Sequence, residues 1–200
     1  MKKVNYLIVG QGIAGTMLSW FLIQAGKKVM VADDARPGSA SRVAAGIINP
    51  VSGRRFEPAW MYDTIYPFAK AAYRQLSELL QVPVFTERRL WTVFPSLQMK
   101  EAFLKKTTGN DYTEWPGAPE YEQFLDQPYG AAIVKGATVN LRALLPAYRR
   151  YLRAQEALLE MHLDPGALEI TAAGVFSGDI QAERVIFCNG AAAAALSFFR

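Results

Sequence analysis

The chain opens on an apolar run, Tyr6-Leu7-Ile8-Val9, that meets Gly10-Gln11-Gly12-Ile13-Ala14-Gly15. An amphipathic stretch follows, and a second apolar run, Lys28-Val29-Met30-Val31-Ala32, ends at Asp33-Asp34. Strand, glycine turn, helix, strand and acid in that order predict a βαβ unit whose helix start faces the adenosine and pyrophosphate half of a dinucleotide. Gly10 stands where the strand must turn sharply, Gly12 lets the backbone approach a pyrophosphate, and Gly15 lets the helix pack closely on the strand. The first N–H groups of a helix lack internal partners and carry partial positive charge, so a bound diphosphate is stabilised there. Asp33 follows Gly15 by eighteen positions, close to the ~20 expected of the acid that accepts hydrogen bonds from ribose hydroxyls. Asp34 is the second choice, because Asp33 directly follows the apolar run. A bare GxGxxG is a weak signal, and the flanking strands give it weight.

The length, 200 residues, suffices for one core with a second lobe inserted. A hydrophobic fraction of 51% with 20% charged residues is ordinary for a globular protein. The formal net charge of +4 favours anionic cofactors or substrates. Lys and Arg are scattered apart from short pairs such as Arg54-Arg55, Arg88-Arg89 and Arg149-Arg150, which read as solvated surface. With no basic arm, nucleic acid is not expected as a partner. Cys188 is the one cysteine, which excludes an internal disulfide and a cysteine zinc cluster. No metal is expected, and a reducing, cytoplasmic location is. His162 is the one histidine. Its neighbours Met161 and Leu163 suggest a strand and a structural role rather than a catalytic triad. The Met-Lys-Lys start and short apolar run read as a first core strand, not a secretion signal. No apolar stretch approaches the ~20 residues that span a bilayer.

Periodicity predicts strands at 4–9 and 28–32 and a helix at 14–25 with Leu18, Phe21, Leu22 and Ala25 on one face, stopped at Gly26. Residues 35–56 are dominated by small side chains, which suits a backbone running close to something or a short packed helix. An aromatic helical pattern covers 58–80, and Pro67 is expected to kink or split it. Val82–Thr86 and Arg89–Phe94 read as two strands joined by a charged turn, and 97–106 as a short helix. Residues 109–120 read as loop, and 124–134 as a further strand pair. Gly136-Ala137-Thr138 reads as a turn before a helix at 139–155, with Asn140 as its cap. Strands are expected at 158–163, 168–172, 174–177 and 185–188. The expected organisation is a nucleotide-binding domain from 1–57 and 136–200 with an α+β lobe, 58–135, inserted in it.

Three motifs in sequence, Ser41-Arg42-Val43-Ala44-Ala45-Gly46-Ile47, Gly136-Ala137-Thr138-Val139-Asn140-Leu141-Arg142-Ala143-Leu144 and Phe187-Cys188-Asn189-Gly190-Ala191, follow the glycine turn. With them the chain resembles the D-amino-acid-oxidase-like family of FAD-dependent oxidoreductases, which includes glycine and sarcosine oxidases. The resemblance implies an α/β fold with a Rossmann-like FAD-binding domain of the GR2 type, a mixed sheet around βαβ, and the inserted lobe as substrate cap. It implies FAD as cofactor. Gly10, Gly12, Ile13, Ala14 and Gly15 would face its diphosphate, Asp33 with Asp34 nearby would hold the adenosine ribose, and Ser41 and Arg42 would run beside the diphosphate and ribitol. Ala45, Gly46 and Ile47 would approach the isoalloxazine ring, and Asn189 and Gly190 would close over the adenine side.

Two departures stand out: the family's acid after the second strand is Glu rather than Asp, and its members are considerably longer, so a chain truncated at its C-terminus is expected. The chemistry implied is oxidation of a small amine or amino acid by hydride transfer to flavin N5, with oxygen a common electron acceptor. No residue is assigned as catalytic. Asn49, Arg54, Arg55, Tyr62 and Trp91 are candidates to touch substrate. The rivals are an NAD-dependent dehydrogenase, a FAD-binding protein without turnover, and a flavoprotein that modifies tRNA.

Overall fold

The structure, a computed structural model, describes residues 1–52, 56–109, 111–115 and 128–195. The chain divides into two compact units: Met1–Ala44 with Leu141–Arg200, and Ala45–Asn140.

The first unit is built on a mixed sheet. Strand β1 (Lys2–Val9) lies between β2 (Val29–Ala32) and the late strand β12 (Ile180–Phe187), and both pairings are parallel. Strand β9 (Leu158–Leu159) extends the sheet beyond β2, and the antiparallel β11 (Gly174–Ser177) and β10 (Glu169–Thr171) extend it beyond β12. All four residues of β2 are buried, as a parallel strand covered on both faces requires. Leu7, Val9, Met30, Ala32, Ile180 and Ala182 form one core face. Ile8 and Val31, both fully buried, point to the other.

Helix α1 (Ile13–Gln24) connects β1 to β2 and ends with Gly26 at φ +71°, as the stop signal predicts. The face that carries Leu18, Phe21, Leu22 and Ala25 is not the most buried one. Gly15, Thr16, Ser19 and Trp20 are the buried residues. A polar face can go inward because each hydroxyl finds a partner. Ser19 Oγ donates to the Thr16 carbonyl at 3.0 Å and lies 3.0 Å from Tyr148 Oη, and Gln11 Nε2 donates to Thr16 Oγ1 at 3.2 Å. After a four-residue helix α2 (Ala40–Val43) the chain leaves this unit.

The second unit centres on β8 (Ala131–Val139), which pairs antiparallel along its length with β6 (Phe85–Val93). The other edge of β8 receives β3 (Ile47–Ile48) and β7 (Thr113–Glu114), while β4 (Val51–Ser52) and β5 (Glu57–Pro58) form a separate pair. Strand β6 is continuous through the expected charged turn. Its charges are accommodated across the sheet: Glu87 pairs with Lys70 and Arg74, Arg89 with Glu114, and Arg88 Nε donates to Thr138 Oγ1. Gly136 is a strand residue rather than a turn, because a Cβ there would run into the Ile48 carbonyl and the Leu90 side chain.

Helix α3 (Tyr62–Leu80) runs unbroken through Pro67. Pro67 is exposed in the second turn, so the amide bond it forgoes leaves the Asp63 carbonyl to solvent, a milder defect than one in a buried turn. Helix α4 (Leu97–Thr107) starts at a capping Ser96, whose Oγ accepts from the Met99 amide. Of the expected strand pair at 124–134, residues 124–127 lie outside the described residues, and 131–134 belong to β8.

The return to the first unit is helix α5 (Leu141–Ala154), with Leu141, Leu144, Leu145, Tyr148, Arg149 and Leu152 buried. No described helix is long and apolar enough to cross a membrane.

Phe103, fully buried, meets Phe94 and Phe56 edge-on at ring-centroid distances of 5.2 and 5.0 Å. Phe103→Ala should therefore lower the unfolding free energy by about 3–5 kcal/mol. A denaturant titration showing a loss below about 1 kcal/mol, the range of ordinary surface changes, would contradict this packing.

Candidate functional site

The glycine turn is fixed by crowding at two points. Gly10 has φ +102°, and a Cβ there would lie 2.7 Å from the Cys188 carbonyl oxygen. A Cβ on Gly15 would overlap the Gly10 carbonyl oxygen. Gly10 N donates to the Ala32 carbonyl at 2.8 Å and Cys188 N to the Val9 carbonyl at 2.7 Å, so the turn is clamped between β2 and the end of β12.

The amide of Thr16 donates to the Gly12 carbonyl at 2.9 Å, closing the first turn of α1. The amides of Gly12, Ile13, Ala14 and Gly15 precede it and have no helical partner. Gly12 carries no side chain to cap them. Ile13 N donates to Ser41 Oγ at 3.0 Å, which brings α2 to the helix start. Ala14 is exposed and Gly12 half-buried, so their amides and the dipole of the 12-residue α1 face a place where an anion is stabilised.

Asp33, at the end of β2, closes one side. Its Oδ2 accepts from Gln11 N at 2.8 Å, and its Oδ1 accepts from Ala35 N at 2.8 Å and from Arg149 Nη1 at 2.6 Å. Asp34 faces away from the turn, toward Arg36 and, at 3.4 Å, His162 Nδ1. Slight burial raises its pKa, but the Arg36 amide, the Arg36 charge and His162 outweigh that and hold the carboxyl below its ordinary value. On the far side, Asn189 Oδ1 is fully enclosed and meets no hydrogen-bond partner among the described residues. Such an orphaned buried atom fits a ligand group. Gly190 follows it at φ +59° with open space around its α-carbon. Burial raises the Cys188 pKa and keeps the thiol protonated.

The expected contacts thus divide. Gly10, Gly12, Ile13, Ala14, Gly15, Asp33, Ser41, Asn189 and Gly190 cluster at this elbow. Arg42 lies on α2, where its amide donates to the Ser39 carbonyl. Ala45, Gly46 and Ile47 belong to the second unit. There the φ of +67° at Gly46 and its contact with the Val139 carbonyl answer to that unit's own backbone.

Among the substrate candidates, Asn49 Oδ1 accepts from the Val51 amide at 3.1 Å, and Trp91 is partly exposed on β6. Arg54 and Arg55 lie outside the described residues. Tyr62 lines a cavity of about 470 Å³ with Tyr66, Tyr112, Asp63 and Lys135. Its hydroxyl is enclosed without a hydrogen-bond partner among the described residues. Burial first, then Tyr66 and Asp63, push its pKa up, so it stays protonated.

Sequence reasoning missed Arg149, which is not solvated surface. It is 7% exposed and reaches Asp33 from α5. The signal was present: Arg149 falls four residues after Leu145 and three before Leu152, inside the apolar stripe of that helix. Glu160, just past β9, accepts from both Arg149 and Arg153. Its pKa falls from 4.5 to about 2, first through the Arg153 hydrogen bond, which outweighs desolvation, and then through the Arg149 hydrogen bond and the two arginine charges. A depressed carboxyl stabilises the fold fully above its unfolded pKa and loses that effect as pH falls through the folded one. Thermal melts should therefore show wild-type stability falling between pH 4.5 and about 2, with a shallower fall in Glu160→Gln. Parallel curves for the two proteins would contradict the linkage.

Comparison with known proteins agrees with this geometry. The family model for FAD-dependent oxidoreductase (DAO) matches residues 5–199. Glycine oxidase of Bacillus licheniformis is 27% identical over 213 residues, covering 98% of this chain and 56% of that protein. The crystal structure of glycine oxidase from Geobacillus kaustophilus superimposes with a TM-score of 0.73 at 18% identity, covering 97% of this chain and 57% of that one. L-Amino acid deaminase from Proteus myxofaciens, in complex with anthranilate, gives 0.71 at 16% identity, covering 96% and 46%. The chain spans about half the length of each of these relatives. With its parallel β1–β2 pair, glycine elbow and terminal acid, the chain belongs to the DAO family of FAD-dependent oxidoreductases.

Proposed function

We propose that the elbow of the first unit holds the ADP half of FAD, and that the protein serves the oxidation of a small amine or amino acid, of the kind named by its glycine oxidase and amino acid deaminase relatives. The observation that carries the reading is the uncapped start of α1, where glycine amides without helical partners stand between Asp33 and the enclosed, unpartnered Asn189 Oδ1.

In this reading Gly12 and Ala14 donate to the diphosphate, while Ser41 Oγ, held by the Ile13 amide, turns its own proton toward a phosphate oxygen. Asp33 accepts from the ribose, and the Asn189 side chain meets the adenine side. Arg42 lies beside the diphosphate or ribitol, and Ala45, Gly46 and Ile47 contribute to the ring end. Asp34 stays on solvent with Arg36 and His162. The chemistry that a bound flavin supplies is acceptance of two electrons from the C–H bond beside an amine. This chain's residues need only bind, orient and exclude water for that, which agrees with a chain that has one histidine. Substrate contacts come from the second unit, with Tyr62 the foremost candidate, because its protonated hydroxyl lacks a hydrogen-bond partner among the described residues, and with Asn49, Arg54, Arg55 and Trp91 after it.

Purified protein should bind FAD and show the flavin's visible bands, and glycine, sarcosine or a D-amino acid should bleach them under anaerobic conditions. Protein that takes up nicotinamide dinucleotide and no FAD would overturn the assignment. FAD bound but bleached by no amine would leave a binding module without turnover. Ser41→Ala should weaken FAD binding roughly threefold to tenfold, the value of one hydrogen bond, measured by quenching of flavin fluorescence. Unchanged affinity would remove Ser41 from the site.

A further inference from the structure

Arg149 is spent entirely inside the protein. Its Nη1 donates to Asp33 Oδ1 at 2.6 Å and, more weakly, to Gln11 Oε1 at 3.4 Å. Its Nη2 donates to the Asp33 backbone carbonyl at 2.9 Å and to Glu160 Oε2 at 3.3 Å. The guanidinium thus grips side chain and main chain of one residue at once, a forked contact that a point charge such as lysine cannot reproduce. Behind it, Gln11 Nε2 is anchored to the Leu145 carbonyl at 3.0 Å, one turn earlier on α5.

The consequence falls on Asp33. Its Oδ1 is filled by Arg149 and the Ala35 amide, whereas Oδ2 has one hydrogen-bond partner among the described residues, the Gln11 amide. A carboxylate oxygen has two lone pairs, so Oδ2 retains an acceptor direction that Oδ1 lacks. The side chain is 14% exposed, enough to present that direction to a ligand. With its charge paired, Asp33 also repels a neighbouring diphosphate less than a lone carboxylate would.

We infer that Arg149 is the positioning residue of the nucleotide-sugar site: it saturates Oδ1, fixes the Asp33 rotamer, and leaves Oδ2 as the acceptor for a ribose hydroxyl of the bound nucleotide. This rests on the reading of the elbow as the site of FAD's ADP half.

The experiment is a coupling measurement on the full chain stripped of flavin, using ADP and 2′,3′-dideoxy-ADP as probes in competition with FAD fluorescence. Wild type should prefer ADP by about tenfold, the worth of one hydrogen bond to a charged acceptor. In Arg149→Met that preference should collapse toward unity, because Asp33 loses its fixed rotamer. In Arg149→Lys, which keeps the charge but not the fork, it should fall to an intermediate value. A merely structural role for Arg149 would lower stability or affinity for both probes equally and leave their ratio at the wild-type value, and that result overturns the inference. So does a wild type that binds FAD yet does not discriminate between the probes. If Arg149→Met does not fold, the lysine variant and the wild-type ratio decide between the same outcomes. A wild type that binds neither FAD nor ADP refutes the reading of the elbow itself, and is distinguished from failure of the Arg149 inference by that absence of binding.

Discussion

The carboxylate of Asp33 is the junction on which the elbow depends. The turn between β1 and α1 cannot hold itself together with its own side chains, since Gly10 and Gly15 must lack them to avoid the Cys188 and Gly10 carbonyls. Its conformation is therefore imposed from outside, by the Gln11 amide on Asp33 Oδ2 and the Gly10 amide on the Ala32 carbonyl. The end of β2 thus does two things at once: it continues the parallel sheet, and it determines where the first amides of α1 point. In a nucleotide site that coupling is useful, because the group that recognises the sugar also sets the shape of the cradle for the phosphates.

Behind this junction lies an interior that is polar rather than oily. Gln11, Thr16, Ser19, Tyr148 and Arg149 are all buried between α1 and α5, and hydrogen bonds tie them together or to backbone carbonyls. Burying such groups is costly unless every one is satisfied. Once satisfied, directional bonds specify a single relative placement of two helices where plain apolar contact would tolerate sliding. The arrangement suits a region whose task is to hold backbone amides still. Glu160 and Arg153 extend the network to the surface, where it becomes sensitive to acid.

Much of this was legible from residue order alone. The strand–elbow–helix–strand–acid series declares itself through types with narrow uses: glycine where a Cβ would collide, an acid ending an apolar run. A late apolar strand was likewise readable from Val185–Cys188, though β12 runs from Ile180 to Phe187 and its parallel pairing with β1 comes from the structure. What escaped did so for identifiable reasons. Strand β6 was divided in two because Glu87, Arg88 and Arg89 look like a turn until Lys70, Arg74, Glu114 and Thr138 supply partners from elsewhere in the chain. Gly136 looked like a turn because a glycine in a strand is explained only by what crosses close to it, here Ile48 and Leu90. Helix α3 passed through Pro67 because one lost bond on an exposed face is a small cost beside the packing of Ala72 and Leu76. The inner face of α1 was not readable, because hydrophobicity ranks Leu18 and Phe21 above Thr16 and Ser19, and nothing local announces that Tyr148 and Gln11 will satisfy the hydroxyls. Arg149 was assigned to the surface by its charge, although its place in the helical stripe of α5 said otherwise.

The central claim, that unpaired amides at the start of α1 receive two linked phosphates, is tested most directly by backbone amide NMR during titration of the chain with ADP. The account predicts saturable shifts largest at Gly12, Ala14 and Gly15, with the Asp33 neighbours Gln11 and Ala35 following. Saturable shifts confined to other residues, or no shift at the glycine elbow at concentrations that occupy the protein, would contradict it.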